Sequence, residues 1–344
     1  MNIYKVLKIN QKIKSHRIKF LGLWFLSVFN KRYLSIQLDP VIACNLKCTM
    51  CYFSDPSFAR SKEKGQLSLE KLENISNSFF KNALRLQIGC GAEPTLYKNI
   101  NAIILEAKSK KVPHISMVTN GNLLKKEDLV TYVQSGLNEL ILSLHGVYAS
   151  TYERFMVNGK YEKFMEVLEW VKLIKEEYQT FTLRINYTIN KDNFDELFQF
   201  FDVFGEYPID IIQLRPIDKI GESAYQNFSL KSIESSYKDL YKYFITHTSN
   251  RKIHLIAPSS LNRNEEVTYK VTSSNDSSYL LPYTYCYISP QSAWKQDFDL
   301  DNQTFNDWKK QTKWNTQLIK NIFKSREALN LSQRNMMNYE VNLN

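Results

Sequence analysis

With 344 residues, 43% of them hydrophobic, the chain can bury a full core as one large α/β domain plus an extension, and five cysteines are too few for a disulfide-stapled scaffold. The net charge of +10 resides mostly in residues 1–34, which hold eight basic and no acidic side chains; the other 37 basic residues face 35 acidic ones. A remainder so nearly neutral lacks the broad basic face expected of an RNA-modifying enzyme, so nucleic acid is not an expected partner.

Residues 1–34 read as a basic, partly apolar leader. Lys5, Lys8 and Lys12 share one helical face and Val6, Ile9 and Ile13 a neighbouring one, the pattern of an amphipathic helix. The apolar run Phe20–Phe29 is well short of the roughly 20 residues that span a bilayer. No small-residue cleavage site follows it, so export is not expected. Two readings stay open: a helix docked on the rest of the fold, or a peripheral anchor on an anionic membrane surface.

From Leu34 onward short apolar strands alternate with helical segments, the signature of parallel βαβ units. Strands are expected near Ser35–Ile42, Leu84–Ile88, His114–Val118, Glu139–Leu144, Phe181–Ile189 and Ile209–Leu214. Ser68 is placed to cap a helix bearing Leu69, Leu72, Ile75 and Phe79 at helical spacing, and similar patterns follow the second and fourth strands. The fold class is α/β: a partial (β/α)6 TIM-like barrel over residues 35–222, open rather than closed. Over residues 223–344 the alternation stops, and a small α+β extension is expected there. It comprises a helix near 232–246, a strand at Ile253–Ala257, a Ser-rich linker Thr272–Ser278, a hairpin within Tyr283–Leu300, two helices to about Leu329, and an Asn-rich tail from Asn330 that frays.

Three cysteines fall in a Cys-x3-Cys-x2-Cys array, Cys44, Cys48 and Cys51, just after the first strand. Tetrahedral zinc or a four-cysteine cluster needs a fourth ligand, yet the nearest other cysteine is Cys90 and the nearest downstream histidine His114. An open coordination site is the simpler reading; a disulfide plus a free thiol, or a zinc site completed from afar, are the alternatives. The other unusual residues also fall at strand C-termini, where ligands bind in parallel α/β sheets. Gly91-Ala92-Glu93-Pro94 follows the second strand, Thr119-Asn120-Gly121 the third, Ser143 and His145 close the fourth, Asn186 lies on the fifth and Arg215 ends the sixth.

The cysteine spacing resembles that of the radical S-adenosylmethionine (radical SAM) superfamily, and the resemblance covers roughly residues 35–220. It implies that Cys44, Cys48 and Cys51 hold one 4Fe-4S cluster whose free iron binds SAM. Gly91-Ala92-Glu93-Pro94 resembles the family's Gly-Gly-Glu-Pro and would hold the SAM amino group, with Ala92 in place of a glycine. Ser143 and Arg154 would meet the SAM carboxylate, Asn186 and Thr188 its ribose, and Met50 its adenine through an apolar contact. Bland alternatives stand beside these roles: Glu93 as a helix N-terminal acid, Ser143 and Asn186 as interior polar residues, Arg154 as a surface residue. His145 is either a substrate-side acid or base or a hydrogen-bonded structural histidine. Cys90 is expected as a buried thiol, or else as a hydrogen-atom donor. Arg215 meets an anionic substrate group or simply ends its strand.

The C-terminal third weakly resembles a SPASM/twitch extension around Cys286, but with that single cysteine it has no means to ligate an auxiliary cluster. The cysteine usage and an oxygen-sensitive cluster point to a cytoplasmic enzyme, and the leader leaves open one peripheral at the inner face of the membrane. An external one-electron reductant, flavodoxin- or ferredoxin-like, would feed it, and its substrate would be a peptide or a sugar/glycan intermediate. A ferredoxin-like iron-sulfur electron carrier and an RNA-modifying radical SAM enzyme are the competing readings.

Overall fold

The expected βαβ alternation is realised in the computed structural model, which describes residues 3–57, 65–219, 222–261, 278–293, 298–331 and 342–343. Strands β1 (Leu34–Leu38), β2 (Ala83–Ile88), β3 (Ile115–Thr119), β4 (Glu139–Leu144), β5 (Thr182–Ile189) and β6 (Ile211–Pro216) each run parallel to the next. β1 stops short of the expected Ile42 because Asp39-Pro40 follows, and proline cannot donate to a ladder.

Two strands from the C-terminal third widen this open barrel to eight parallel strands. β7 (His254–Ala257) lies beside β6, and β8 (Tyr285–Ile288) lies beside β1. β9 (Asn342–Leu343) adds an antiparallel pair to β7, so the order is β8-β1-β2-β3-β4-β5-β6-β7-β9. The hairpin expected within Tyr283–Leu300 shrinks to one antiparallel bridge, Ile288 to Ala293. β8 buries Cys286 and Ile288 on one face, which suits it to the β1 edge better than to a free-standing ribbon. Part of the tail expected to fray is paired in β9. The Ser-rich linker, except Ser278, and most of that tail lie outside the described residues.

Alternation sorts the side chains of the sheet. Ile36, Leu38, Leu86, Ile88, Leu140 and Leu142 are fully buried among the hydrophobic core. The helices Leu69–Phe79, Ile100–Ser109 and Tyr161–Glu177 supply the other side of that core through Leu72, Ile75, Ile103, Ile104, Phe164 and Val167. Ser68 caps the first of them, its hydroxyl accepting from the Lys71 amide at 3.1 Å. The intervening positions Gln37, Arg85, Gln87, Ser116, Glu139, Arg184 and Asn186 face the other way and make the concave interior polar.

The leader docks on this fold. Tyr4, on the helix Ile3–Lys12, donates to the Glu139 carboxylate at 2.7 Å, joining His114 at 2.7 Å and the Arg184 guanidinium at 2.6 Å around the same buried acid. These residues sit at the N-terminal ends of the strands, so the leader plugs the floor of the barrel. The helix His16–Val28 buries Phe20, Leu23 and Ser27 and packs antiparallel to Trp314–Phe323. His16 meets the Lys324 carbonyl at 3.0 Å, and Ser27 donates to Asn315 at 2.7 Å at the other end. Among the described residues no helix is long and apolar enough to cross a membrane.

Candidate active site

The cysteine loop leaves β1 at Asp39 and is clamped from several sides. The Lys47 and Thr49 amides donate to the Val157 and Phe155 carbonyls at 3.0 and 2.9 Å, and the Thr49 carbonyl accepts from the Tyr225 amide at 2.8 Å. Asn120, at the end of β3, donates its side-chain amide to Asn45 at 2.9 Å. Cys44, Cys48 and Cys51 are therefore held on a fixed loop as free, half-buried thiols. Burial raises all three pKa values, Cys44 to about 12; Cys48 feels both other cysteines, and Cys44 feels Glu93 and Cys51. Thiolates here require a compensating cationic group. Among the described residues no three His, Cys, Asp or Glu side chains are arranged to grip a single metal ion.

The segment after β2 is shaped by Asp39. Gly89 turns the chain at φ +81°, where a Cβ would lie 2.5 Å from the Val118 carbonyl oxygen. The Asp39 carboxylate, buried at the end of β1, then accepts from the Cys90 amide at 2.6 Å, the Gly91 amide at 3.0 Å and the Tyr287 hydroxyl at 2.9 Å. Burial pushes its pKa up, against these donors. Ala92 is not among the residues with positive φ, so its methyl group is accommodated where the family pattern has glycine. The Tyr52 hydroxyl donates to the Gly91 carbonyl, and a Cβ at Gly91 would stand 2.5 Å from that hydroxyl.

Glu93 is almost wholly buried and heavily engaged. Its Oε1 accepts from the Thr95 amide at 3.1 Å, the Thr95 hydroxyl at 2.6 Å and the Thr119 hydroxyl at 2.6 Å; Oε2 accepts from the Asn120 amide at 2.8 Å. It thus caps the 3-10 turn Pro94–Leu96 and ties β2 to β3, while Oε2 retains acceptor capacity.

Ser143, Asn186 and Gln213 are in register across β4, β5 and β6, and Thr188 pairs with Arg215 one step further on. The Asn186 Oδ1 is buried without a partner among the described residues. His145 Nδ1 is likewise buried and has no partner among the described residues. Burial and the neighbouring charge of Arg215 push its pKa down to about 4, so the imidazole is neutral near pH 7. Arg215 itself is exposed at the end of β6.

Of the remaining candidates, Cys90 departs from expectation, and Arg154 takes the surface position that was its alternative reading. Cys90, expected to be buried, is exposed because Gly89 turns it out of the strand; its Sγ lies 3.8 Å from the Tyr285 hydroxyl. Arg154 is exposed on the helix Ala149–Phe155, donating to the Asp192 carbonyl at 3.0 Å and lying over the Phe155 ring. Met50 is buried, and its sulfur accepts from Asn190 at 3.1 Å. Sequence reading passed over Asp39, Tyr52 and Tyr287. Asp39 carried a usable signal as an acid at a strand C-terminus, whereas Tyr287 comes from a strand whose pairing only the fold defines.

The sequence profile described as the radical SAM superfamily matches residues 40–201. A probable GTP 3',8-cyclase of Saccharolobus solfataricus is 26% identical over 241 residues, covering 68% of this chain and 74% of the relative. Its counterpart in Sulfolobus acidocaldarius is 24% identical, with 60% and 64% covered. In structure the chain is similar to Streptococcus suis SuiB bound to S-adenosylmethionine, with TM-score 0.57, 19% identity and coverage of 81% of this chain and 64% of SuiB. It is also similar to anSMEcpe with bound AdoMet and the Cp18Cys peptide, with TM-score 0.59, 17% identity and coverage of 85% and 84%. The chain thus spans about two thirds of the length of several relatives. The profile ends before β6, so the SPASM-like resemblance of the C-terminal third gains no support from it. A cysteine loop after the first of eight parallel strands, followed by a segment through β5 that matches the radical SAM superfamily over residues 40–201, makes this chain similar to that superfamily, whose members carry one 4Fe-4S cluster and SAM.

Proposed function

We propose that this radical SAM enzyme removes a hydrogen atom from a peptide or a sugar/glycan intermediate bound in the polar interior of the open barrel. The residues present fit the family's two groups. Cys44, Cys48 and Cys51 are free thiols on one clamped loop, with Cys44 and Cys51 both close enough to raise the pKa of Cys48, and would hold the cluster. The segment Gly91-Ala92-Glu93 and the spare capacity of Glu93 Oε2 would take the SAM amino group. Ser143 would face its carboxylate, Asn186 Oδ1 would accept from its ribose, and Met50 would line its adenine. Arg154, with one N–H on the Asp192 carbonyl, has other guanidinium donors for the carboxylate. The chemistry supplied when cluster and SAM are bound is one-electron reductive cleavage of SAM to methionine and a 5'-deoxyadenosyl radical, the hydrogen-abstracting species. The chain's own share is to bind, orient and exclude water.

The observation that carries this reading is the meeting, at one end of the sheet, of the three-thiol loop with the buried, unpartnered Asn186 Oδ1 and His145 Nδ1. Buried polar atoms without partners are uncommon and point to a polar ligand. On the substrate side, neutral His145 serves as a proton acceptor, Arg215 as the partner of an anionic group, and Cys90 as a thiol able to return a hydrogen atom. The peptide reading draws on SuiB, solved with its precursor peptide SuiA. A purine nucleotide is the second reading, favoured by the curated relatives' name and by Arg215 at the mouth. Cys286, the only cysteine of the C-terminal third, is buried in the core, so electrons arrive from an external flavodoxin- or ferredoxin-like reductant in a reducing, cytoplasmic setting.

The test is anaerobic reconstitution followed by chemical reduction with SAM present. About four irons per chain and release of 5'-deoxyadenosine are expected. A full cluster spectrum with no SAM binding or cleavage would instead mean an electron carrier. Mass spectrometry of peptides and metabolites from cells carrying the intact protein or a triple Cys→Ala variant then identifies the substrate, with GTP and RNA as parallel additions in vitro.

A further inference from the structure

The helix His16–Val28 is apolar on two opposite faces. One face is used: Phe20 and Leu23 pack inward. The other carries Ile18, Leu21, Phe25 and Val28 at helical spacing, with Phe29 just beyond, all exposed to solvent. The rings of Phe25 and Phe29 touch in a tilted arrangement with centroids 4.5 Å apart, and Phe29 remains 56% exposed. On the antiparallel neighbour Trp314–Phe323, Ile319 is exposed and Phe323 is 78% exposed. Large apolar side chains gathered this way on a soluble surface mark a contact face.

The surroundings define the partner. Residues 1–34 contain no acid, and residues 308–326 carry six basic side chains and no acid. Lys12, Lys14, Arg17, Lys31, Lys320 and Lys324 are exposed around the two helices. Beside Val28 opens a cavity of about 550 Å³ lined by Ser27, Asn30, Lys310, Lys313, Asn315 and Thr316. Lys309, which also lines it, is fixed there by the Ser27 carbonyl and the Asn30 side chain at 3.1 and 2.8 Å. The helix Trp314–Phe323 starts at the cavity with Lys313 at φ 50°, whose side chain is not spent on capping the helix. Lysines gathered at one opening suit a phosphate group.

We propose that this face seats the protein on an anionic phospholipid surface: a lipid phosphate enters the Lys310–Lys313 cavity while Ile18, Leu21, Phe25 and Phe29 enter the acyl boundary. An amphipathic helix lying in the interface needs no spanning segment, and lysines near an anionic leaflet add to the apolar contribution. The apolar stripe and the cavity are separate features of one face, so each has its own substitution.

The test is co-sedimentation of the full-length chain with phosphatidylglycerol vesicles and with phosphatidylcholine vesicles. The chain should pellet with the first, and less so as salt rises. Lys310→Gln with Lys313→Gln should weaken binding to anionic vesicles by about 30-fold, with an unchanged melting temperature. Phe25→Ser with Phe29→Ser should abolish pelleting on either lipid; both residues are exposed, so the fold survives. Several results would overturn the proposal: wild-type chain left in the supernatant with both vesicles, variants that pellet like wild type, inorganic phosphate bound in the cavity without vesicle binding, or an apolar face found to join two copies of the chain.

Discussion

Glu139 offers the sharpest test of how this barrel is closed at its floor. Its carboxylate is fully buried and accepts from Tyr4, His114 and Arg184. Burial alone would raise its pKa, but the Arg184 guanidinium, the His114 hydrogen bond and the charge of Arg85 outweigh it and hold the acid at about 2 against an ordinary 4.5. That difference corresponds to on the order of 3 kcal/mol of stability. Because the folded-state pKa is depressed, the contribution is complete above pH 4.5 and is lost as pH falls through about 2. Glu139→Gln removes the charge, keeps the shape, and leaves Arg184 buried without its counter-ion, which should cost about 3–5 kcal/mol. For a chain of this length the loss corresponds to a melting point lower by about 4–7 °C. The assay is thermal and denaturant unfolding of wild type and variant, matched in cluster content, from pH 7 to pH 2.5. The two curves should converge toward the acid end. The double variant Glu139→Gln with Arg184→Met should recover much of the loss, since replacing both charges removes the unpaired one. A Glu139→Gln protein within 1 kcal/mol of wild type across the whole range would refute the reasoning.

Other expectations follow from the same geometry. Replacing Cys44, Cys48 and Cys51 by alanine should bring iron after reconstitution from about four per chain to near zero, while Cys286→Ser should leave it unchanged. Asp39→Ala strips the acceptor from the Cys90 and Gly91 amides and from Tyr287, so SAM affinity measured by equilibrium binding should fall at least tenfold and stability by about 1.5–3 kcal/mol. Gly91→Ala should weaken SAM binding by pushing Tyr52 away, and adding Tyr52→Phe should restore part of it; no rescue would locate the strain elsewhere. His145, neutral down to about pH 4 when folded but titrating near 6.5 when unfolded, stabilises the protein above pH 6.5 and loses that contribution as pH falls toward 4, a slope that His145→Gln should flatten. A chain starting at Ser35, without Tyr4, Phe20 and Leu23, should melt at lower temperature or aggregate, as seen by light scattering on heating.

Much of this architecture is local in origin. The six central strands were legible because short segments with apolar residues at alternate positions recur between helical ones, and helices such as Leu69–Phe79 write a 3.6-residue period with a serine cap. The cluster loop was legible because its ligands lie within eight residues of one another, so their spacing survives without the fold. What lies far apart in sequence was not. β7 and β8 are four residues each and acquire their place only by pairing with β6 and β1. Tyr287 reaches Asp39 across 248 positions, and Tyr4 reaches Glu139 across 135, contacts that no local pattern encodes. Charge and hydrophobicity named the leader but left open whether it docks or anchors, because a helix apolar on two faces satisfies both patterns. Only tertiary packing assigned one face to the core and left the other exposed. The protonation of His145 was undecidable for the same reason, since burial and the charge of Arg215 from another strand set it.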